Sequence, residues 1–212
     1  DANIHILSHS LHYGLGVFEG IRAYEQPGGG GGVFKLDEHL RRLIDSAKMC
    51  RMDLQYSVED LRTACLDTLR KNEFTSAYIR PLVYLGMGGM GLGARNNPVH
   101  TSIIVWKWGA YLGDEGINNG IRVATSSFTR HHVNANLQRA KITGHYVNSI
   151  MARYEANDNG YDEAIMLDHS GYVAEGTGEN LFIMRDGVVK TPPIVNILGG
   201  ITRKTAIQIL EK

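Results

Sequence analysis

Apolar residues recur along the chain in two rhythms. Leu36, Leu40, Leu43, Ile44 and Ala47 share one face at helical spacing, which predicts an amphipathic helix with Asp37 as its N-cap. A second helix is predicted over 58–70 behind Ser57. A third spans 144–157, burying Val147, Ile150, Met151 and Tyr154 and stopping at Gly160. Strand-like runs alternate with these. Residues 17–24 alternate and, with the short apolar run 4–7, predict an opening β-hairpin. Further strands are expected at 77–85, 102–106, 121–128, 163–167, 172–175 and 180–184. Helices and strands interspersed in this way predict an α+β (α/β) fold.

Breaks in the pattern divide the chain. The glycine run 28–32, the glycine-rich segment 86–93 and the turns at 169–171 and 176–178 separate elements. Near Trp108 to Asn119 the pattern lapses around Gly109, Gly113 and Gly116, which predicts a loop between domains. The expected division is 1–107 as a small α+β domain, 108–116 as the interdomain loop and 117–212 as a larger domain.

Composition narrows the function classes. At 212 residues and 43% hydrophobic content the chain can bury a sizeable core. Lys plus Arg and Asp plus Glu both number 22, so no bulk field attracts nucleic acid or anionic lipid. Cys50 and Cys65 show no CxxC spacing, which fits a reducing cytoplasm and neither a disulfide framework nor a zinc site. No run approaches the roughly 18 apolar residues of a membrane span. The chain opens on Asp1 without a methionine and stops inside a helical pattern at Lys212, so both ends are expected to extend further.

Several segments are candidates for chemistry. Leu198-Gly199-Gly200-Ile201-Thr202 runs directly into a helical pattern, where converging backbone N–H groups and the helix dipole favour a phosphate. The plainer alternative is a tight turn with Thr202 as an N-cap. Gly86-Met87-Gly88-Gly89-Met90-Gly91 has the form GxGxxG after a strand, but no helix follows to hold a pyrophosphate, so a mobile loop is expected. His5, His9 and His12 and the pair His131-His132 lack an HExxH or cysteine companion, and no metal is predicted. Glu175 at a strand end reads as a solvated loop acid, and Arg42, opposite the apolar face of its helix, as a surface charge. Nothing local separates Lys141 from the other lysines.

Taken jointly, four segments resemble the branched-chain amino acid aminotransferases, class IV aminotransferases of the fold-type IV pyridoxal-phosphate enzymes. They are the run from His12 through Phe18-Glu19-Gly20-Ile21-Arg22, the run from Glu38 through Arg42 to Lys48, Tyr78-Ile79-Arg80-Pro81-Leu82, and Lys141 through Gly200-Ile201-Thr202-Arg203. The last includes Lys141 before a GxYxNS pattern and the EGxGEN run from Glu175 to Asn180. The resemblance covers essentially the whole chain. It implies a two-domain fold like that of D-amino-acid aminotransferase, with the cofactor in 117–212. The family's chain continues into strands and a small-residue turn that binds cofactor phosphate and substrate carboxylate, so the fold's C-terminal part is expected beyond Lys212.

The resemblance also implies residue roles. Lys141 holds pyridoxal 5'-phosphate as a Schiff base and, once released, carries the proton between substrate Cα and cofactor C4′. Glu175 faces the pyridine nitrogen, Tyr146 the phenolic oxygen, and Arg42 with Gly200, Ile201 and Thr202 the phosphate. Tyr13, Phe18, Gly20, Tyr78 and Trp108 are expected to wall a substrate pocket in which Arg80 receives the glutamate carboxylate, with strand core as the alternative for each aromatic. Met90 and Leu92 resemble a loop lent by a partner subunit, which implies a homodimer or higher homo-oligomer. The expected reaction converts valine, leucine or isoleucine and 2-oxoglutarate into the branched 2-oxo acid and L-glutamate. The alternatives are D-amino-acid aminotransferase or aminodeoxychorismate lyase-like activity, or an inactive cofactor-binding fragment.

Overall fold

The computed structural model describes residues 2–93, 95–109 and 113–212. The chain divides into two compact units, one of Asp1–Trp108 with Ala140–Gly144 and one of Gly109–Arg139 with His145–Lys212. The short return segment puts Lys141 with the first unit.

The first unit contains α1 (His9–Tyr13), β1 (Gly16–Phe18), β2 (Ile21–Glu25), β3 (Gly31–Val33), α2 (Leu36–Met49), α3 (Val58–Lys71), β4 (Ala77–Leu85) and β5 (Val99–Trp106). The run 17–24 is two strands rather than one. Glu19 and Gly20 interrupt it, and β1 and β2 pair in succession along one edge of β4, while β5 pairs along the other. The hairpin is therefore β2–β3, closed by the glycine run, and residues 4–7 form no strand.

Strict alternation on β4 decides what each face does. Ala77, Ile79, Val83 and Leu85 point into a core with Leu40, Leu43 and Ala47 of α2 and Leu61, Cys65 and Leu69 of α3. Tyr78, Arg80, Leu82 and Tyr84 take the opposite face, and residues paired across strands share a face. Phe18 pairs with Leu82, Arg22 with Tyr78 and Trp106 with Tyr78, so all three join that second face.

Helix starts differ in how legible they are. Ser57 and Asp60 form a reciprocal capping box at α3, as the sequence predicts. Asp37 does not cap α2. The helix begins at Leu36 behind Lys35, and the Asp37 carboxylate instead takes two hydrogen bonds from Arg62 of α3, at 2.8 and 2.7 Å.

The second unit contains α4 (Gly113–Asn119), β6 (Val123–Thr125), α5 (Tyr146–Asp158), β7 (Glu163–Leu167), β8 (Val173–Gly176), β9 (Ile183–Arg185), β10 (Val188–Lys190) and α6 (Ile201–Leu210). Strand β6 runs parallel to β7, β8 antiparallel to it, and β9 and β10 make a separate hairpin. The loop expected near 108–119 contains α4, closed where the Gly120 N–H bonds to the Gly116 carbonyl; its residues 110–112 lie outside the described ones.

Helix α5 presents the wrong face for a large-residue stripe. Val147, Ile150, Met151 and Tyr154 are exposed, Val147 at 63% and Tyr154 at 59%, whereas Ser149, Ala152 and Ala156 are buried. Ala152 and Ala156 cluster with Ala164 and Met166 of β7, and side chains this small let helix and strand approach closely. Among the described residues no helix is long and apolar enough to cross a membrane.

Candidate active site

In the first unit, several of the residues expected at the site, Phe18, Tyr78, Arg80 and Lys141 among them, gather at the second face of the sheet. Ala140 and Ile142 are buried in the core on either side of Lys141. The Lys141 backbone is fixed from both directions, its N–H bonding to Ser46 Oγ at 3.1 Å and its carbonyl accepting from Phe18 N at 3.1 Å. The Lys141 Nζ lies 4.9 Å from the centre of the Phe18 ring, and the Arg80 guanidinium carbon lies 4.4 Å from that same ring. A cation over an aromatic face is attracted by the ring quadrupole. Phe18 thus groups the two cations in one patch.

Arg80 continues the cluster, donating from Nη2 to the Tyr78 hydroxyl at 3.0 Å. Its Nε is buried with no hydrogen-bond partner among the described residues. Tyr78 packs against Trp106 and Trp108, with ring centres 4.8 and 4.6 Å away. Glycine at position 20 leaves room for Tyr78, because a Cβ there would lie 2.0 Å from the Tyr78 hydroxyl. The Trp108 carbonyl accepts a bond from Arg22 Nη1 at 2.5 Å, which gives Arg22 a part the sequence reading had not assigned.

Arg42 is not a solvated surface charge. Its side chain is 16% exposed, and Nε and Nη2 pair side-on with the two Glu19 oxygens at 2.6 and 2.8 Å. Glu19 is fully buried and also accepts from His39 Nδ1 at 2.7 Å. Burial alone would raise the Glu19 pKa; the hydrogen bonds from Arg42 and His39, with their charges, outweigh it and hold the carboxyl below its ordinary range. Neither Glu19 nor His39 had been singled out. The missed signal was the interruption of the 17–24 alternation by an acid.

The glycine-rich loop is fastened to α1. Gly91 N donates to the Tyr13 hydroxyl at 3.1 Å, and the Gly91 carbonyl lies 2.9 Å from His9 Nε2. Met90 and Leu92, on either side of that anchor, are exposed, Leu92 at 92%. Among the described residues no helix follows the loop to hold a dinucleotide in the GxGxxG manner.

In the second unit, Tyr146 is the first residue of α5, and Glu175 is buried on β8. Glu175 is not a solvated acid. Arg130 Nε lies 2.9 Å from Glu175 Oε1, without a hydrogen bond formed along its own N–H direction, so charge rather than directed bonding dominates that contact. Arg130 Nη1 donates to Ser149 Oγ at 3.1 Å. Beside it, burial and then the charges of His131 and Arg130 push the His145 pKa down to about 4, so His145 is a neutral imidazole at pH 7.

Asn180 links Glu175 to the start of α6. Its Nδ2 lies 3.1 Å from Glu175 Oε2 and 3.0 Å from the Leu198 carbonyl. A Cβ on Gly200 would fall 2.0 Å from Asn180 Oδ1, so glycine is what permits this approach. Gly200 is the N-cap of α6 and Thr202 lies inside the helix, which removes the Thr202 N-cap reading. Among the described residues no side chain caps this helix start, and the first N–H groups of a helix have no partner within it. A buried carboxylate and an anion-favouring helix start are therefore tied together by one amide. Asn180 and Arg130 extend the set predicted from sequence; Asn180 was visible in the EGxGEN run, whereas nothing local marked Arg130.

Comparison with known proteins agrees with these motifs. The amino-transferase class IV family matches residues 16–212. A branched-chain-amino-acid aminotransferase of Pseudomonas aeruginosa is 52% identical over 209 residues, covering 99% of this chain and 68% of its own length. The structure of the Thermoproteus uzoniensis branched-chain aminotransferase with norvaline superimposes with a TM-score of 0.93 at 46% identity, over 100% of this chain and 70% of that one. A T.th. branched-chain amino acid aminotransferase with pyridoxamine 5'-phosphate gives 0.94 at 46% identity, over 100% of this chain and 69% of that one. The same enzyme complexed with N-(5'-phosphopyridoxyl)-L-glutamate gives 0.91 at 43% identity, over 100% of this chain and 68% of that one. The chain belongs to the class IV aminotransferases, and within them to the branched-chain amino acid aminotransferases.

Proposed function

We propose that this protein uses pyridoxal 5'-phosphate to transfer the amino group of L-valine, L-leucine or L-isoleucine to 2-oxoglutarate, giving the branched 2-oxo acid and L-glutamate. The observation that carries this reading is the junction at Asn180, where a buried carboxylate and an uncapped helix start meet. A phosphorylated pyridine needs that pair of opposite environments, an anion-favouring one for its phosphate and a carboxylate for its ring nitrogen. The T.th. relative, with pyridoxamine 5'-phosphate in one structure and a phosphopyridoxyl-L-glutamate in another, supports both the cofactor and glutamate as one of the substrates.

When bound, the cofactor supplies an electron sink for the bond broken at the substrate Cα. The chain's own residues do the rest. Lys141 holds the cofactor and, once released as a neutral amine, its Nζ takes the Cα proton, beside the Arg80 guanidinium over the same Phe18 ring. Glu175 would accept from the pyridine N–H, and the Tyr146 hydroxyl would donate to the phenolic oxygen. Arg42 and the N–H groups at Ile201 and Thr202, with the Thr202 hydroxyl, hold the phosphate.

Phe18, Tyr78 and Trp108 form an apolar wall for branched side chains, and Tyr13 extends it. Arg80, with its buried Nε lacking a partner among the described residues, receives the second carboxylate of glutamate. Gly20 keeps the Tyr78 hydroxyl beside that arginine. The exposed Met90 and Leu92 complete the pocket of a partner subunit in a homodimer, and the enzyme works in the cytoplasm.

The direct test adds pyridoxal 5'-phosphate to the protein, follows its visible absorption band, reduces with borohydride and maps the added mass. Wild type should form the band and carry the mass on Lys141. Lys141→Ala should do neither and should lose transamination. Mass on another lysine would overturn the assignment.

A further inference from the structure

We infer that Glu19 is a positioning residue, which fixes the plane of the Arg42 guanidinium for the cofactor phosphate; this rests on the reading of Arg42 as a phosphate ligand. The two parts of the cluster come from different elements. Glu19 sits in the interruption between β1 and β2, where its backbone N–H is fixed to the Pro81 carbonyl of β4 at 2.9 Å. Arg42 and His39 lie one turn apart on α2 and reach the same carboxylate. Contact with both Nε and Nη2 defines the guanidinium plane and its rotation, which a single contact would leave free.

Stability is a poor explanation for such a cluster. Removing a carboxylate from water is costly, and well-packed apolar residues of similar volume commonly serve a fold as well as a buried ion pair does. The core of the first unit is otherwise aliphatic, with Val17 and Ile21 two residues to either side of Glu19 in the chain. An acid at this place is therefore explained by what it does to Arg42. His39 occupies the second lone-pair region of Oε2, so the carboxylate itself cannot rotate away from the arginine. The interruption between β1 and β2 is then the device that brings a carboxylate to α2.

Pyridoxal 5'-phosphate and pyridoxal differ only in the phosphate, so the ratio of their affinities isolates this effect from general damage to the pocket. Both ligands would be titrated by absorbance into wild type, Glu19→Gln, Glu19→Asp, Arg42→Ala and the double variant Glu19→Gln/Arg42→Ala, with folding checked by circular dichroism. Glutamine keeps the shape but loses the charge and one acceptor, and aspartate keeps the charge but sets the carboxylate one methylene back from the guanidinium. Each Glu19 variant should weaken pyridoxal 5'-phosphate by about tenfold while leaving pyridoxal unchanged, the order of effect expected when an immobilised side chain regains its freedom. In the Arg42→Ala background Glu19→Gln should have no further effect on the ratio.

If Arg42→Ala itself leaves the ratio unchanged, the assignment of Arg42 to the phosphate is wrong and the positioning role falls with it. If Arg42→Ala lowers the ratio but neither Glu19 variant does, the functional reading stands and the positioning role is refuted. Should Glu19→Gln fail to fold, Glu19→Asp carries the same decision; if neither folds, Glu19 serves the fold, and the positioning role is rejected.

Discussion

The two units are built on different interiors. The first is aliphatic, with Ile21, Leu40, Leu43, Ile79 and Val83 fully buried around a five-stranded sheet, and its buried ion cluster sits where two strands break. The second has a core cluster of three alanines and one methionine, and alongside it buries Arg130, His145, Glu163, Glu175 and Thr177. An aliphatic interior holds shape through volume and tolerates the loss of one polar contact. An interior of small residues and paired charges depends on every partner being present, because an unpaired buried charge costs far more than a lost contact. The second unit therefore leans on its buried polar side chains more than the first does.

The sharpest way to break that contrast is Arg130→Met. The substitution leaves Glu175 buried without its cation and should lower stability by about 3–5 kcal/mol in denaturant unfolding. Arg130→Met with Glu175→Met, which removes both charges, should recover most of that loss, although it would abolish any use of Glu175. A double variant as unstable as the single would mean that the pair is held in place by something other than charge.

The same contrast explains what could be read from the sequence. Patterning found α2, α3 and β4 because large aliphatic residues mark their buried face. It placed α5 but chose the wrong buried face, since Val147, Ile150, Met151 and Tyr154 outweigh Ala152 and Ala156 in any hydrophobic reckoning, while close approach to Ala164 selects the alanines. At the site, short motifs marked Lys141, Arg42, Glu175 and the turn at Gly200. They could not show that Arg42 meets Glu19, or that Glu175 meets Arg130, because each pair joins residues far apart in the chain whose own surroundings look like surface. The Asp37 N-cap failed for a related reason: a tertiary partner, Arg62, took the carboxylate.

A smaller effect should appear as a pH dependence in the second unit. Burial, and then the neighbouring Glu163 carboxylate, push the Glu179 pKa up to about 7. Glu163 is engaged by Arg153, by Thr177 Oγ1 at 2.7 Å and by Ala164 N at 2.7 Å, so the proton resides on Glu179. The folded state then keeps a proton that an unfolded glutamate, with its ordinary pKa of 4.5, releases. The stabilisation is complete below the unfolded pKa and is lost as pH rises from there to about 7. Glu179→Gln should remove this part of the slope in unfolding measured across that window. An unchanged slope would mean that Glu179 is ionised when folded.

The smallest effect tests the face of α5 that patterning mistook for core. Ala152→Leu adds volume where helix and strand are already close, and should cost about 1–3 kcal/mol. Ile150→Ser removes a larger apolar side chain, yet from an exposed position, and should change stability by no more than about 0.5 kcal/mol in the same unfolding measurement. The ranking is the reverse of the one hydrophobicity alone would give. A loss at Ile150 matching that at Ala152 would show that the outer face is covered in solution, and the contrast between the two faces would then be one of packing partner rather than of exposure.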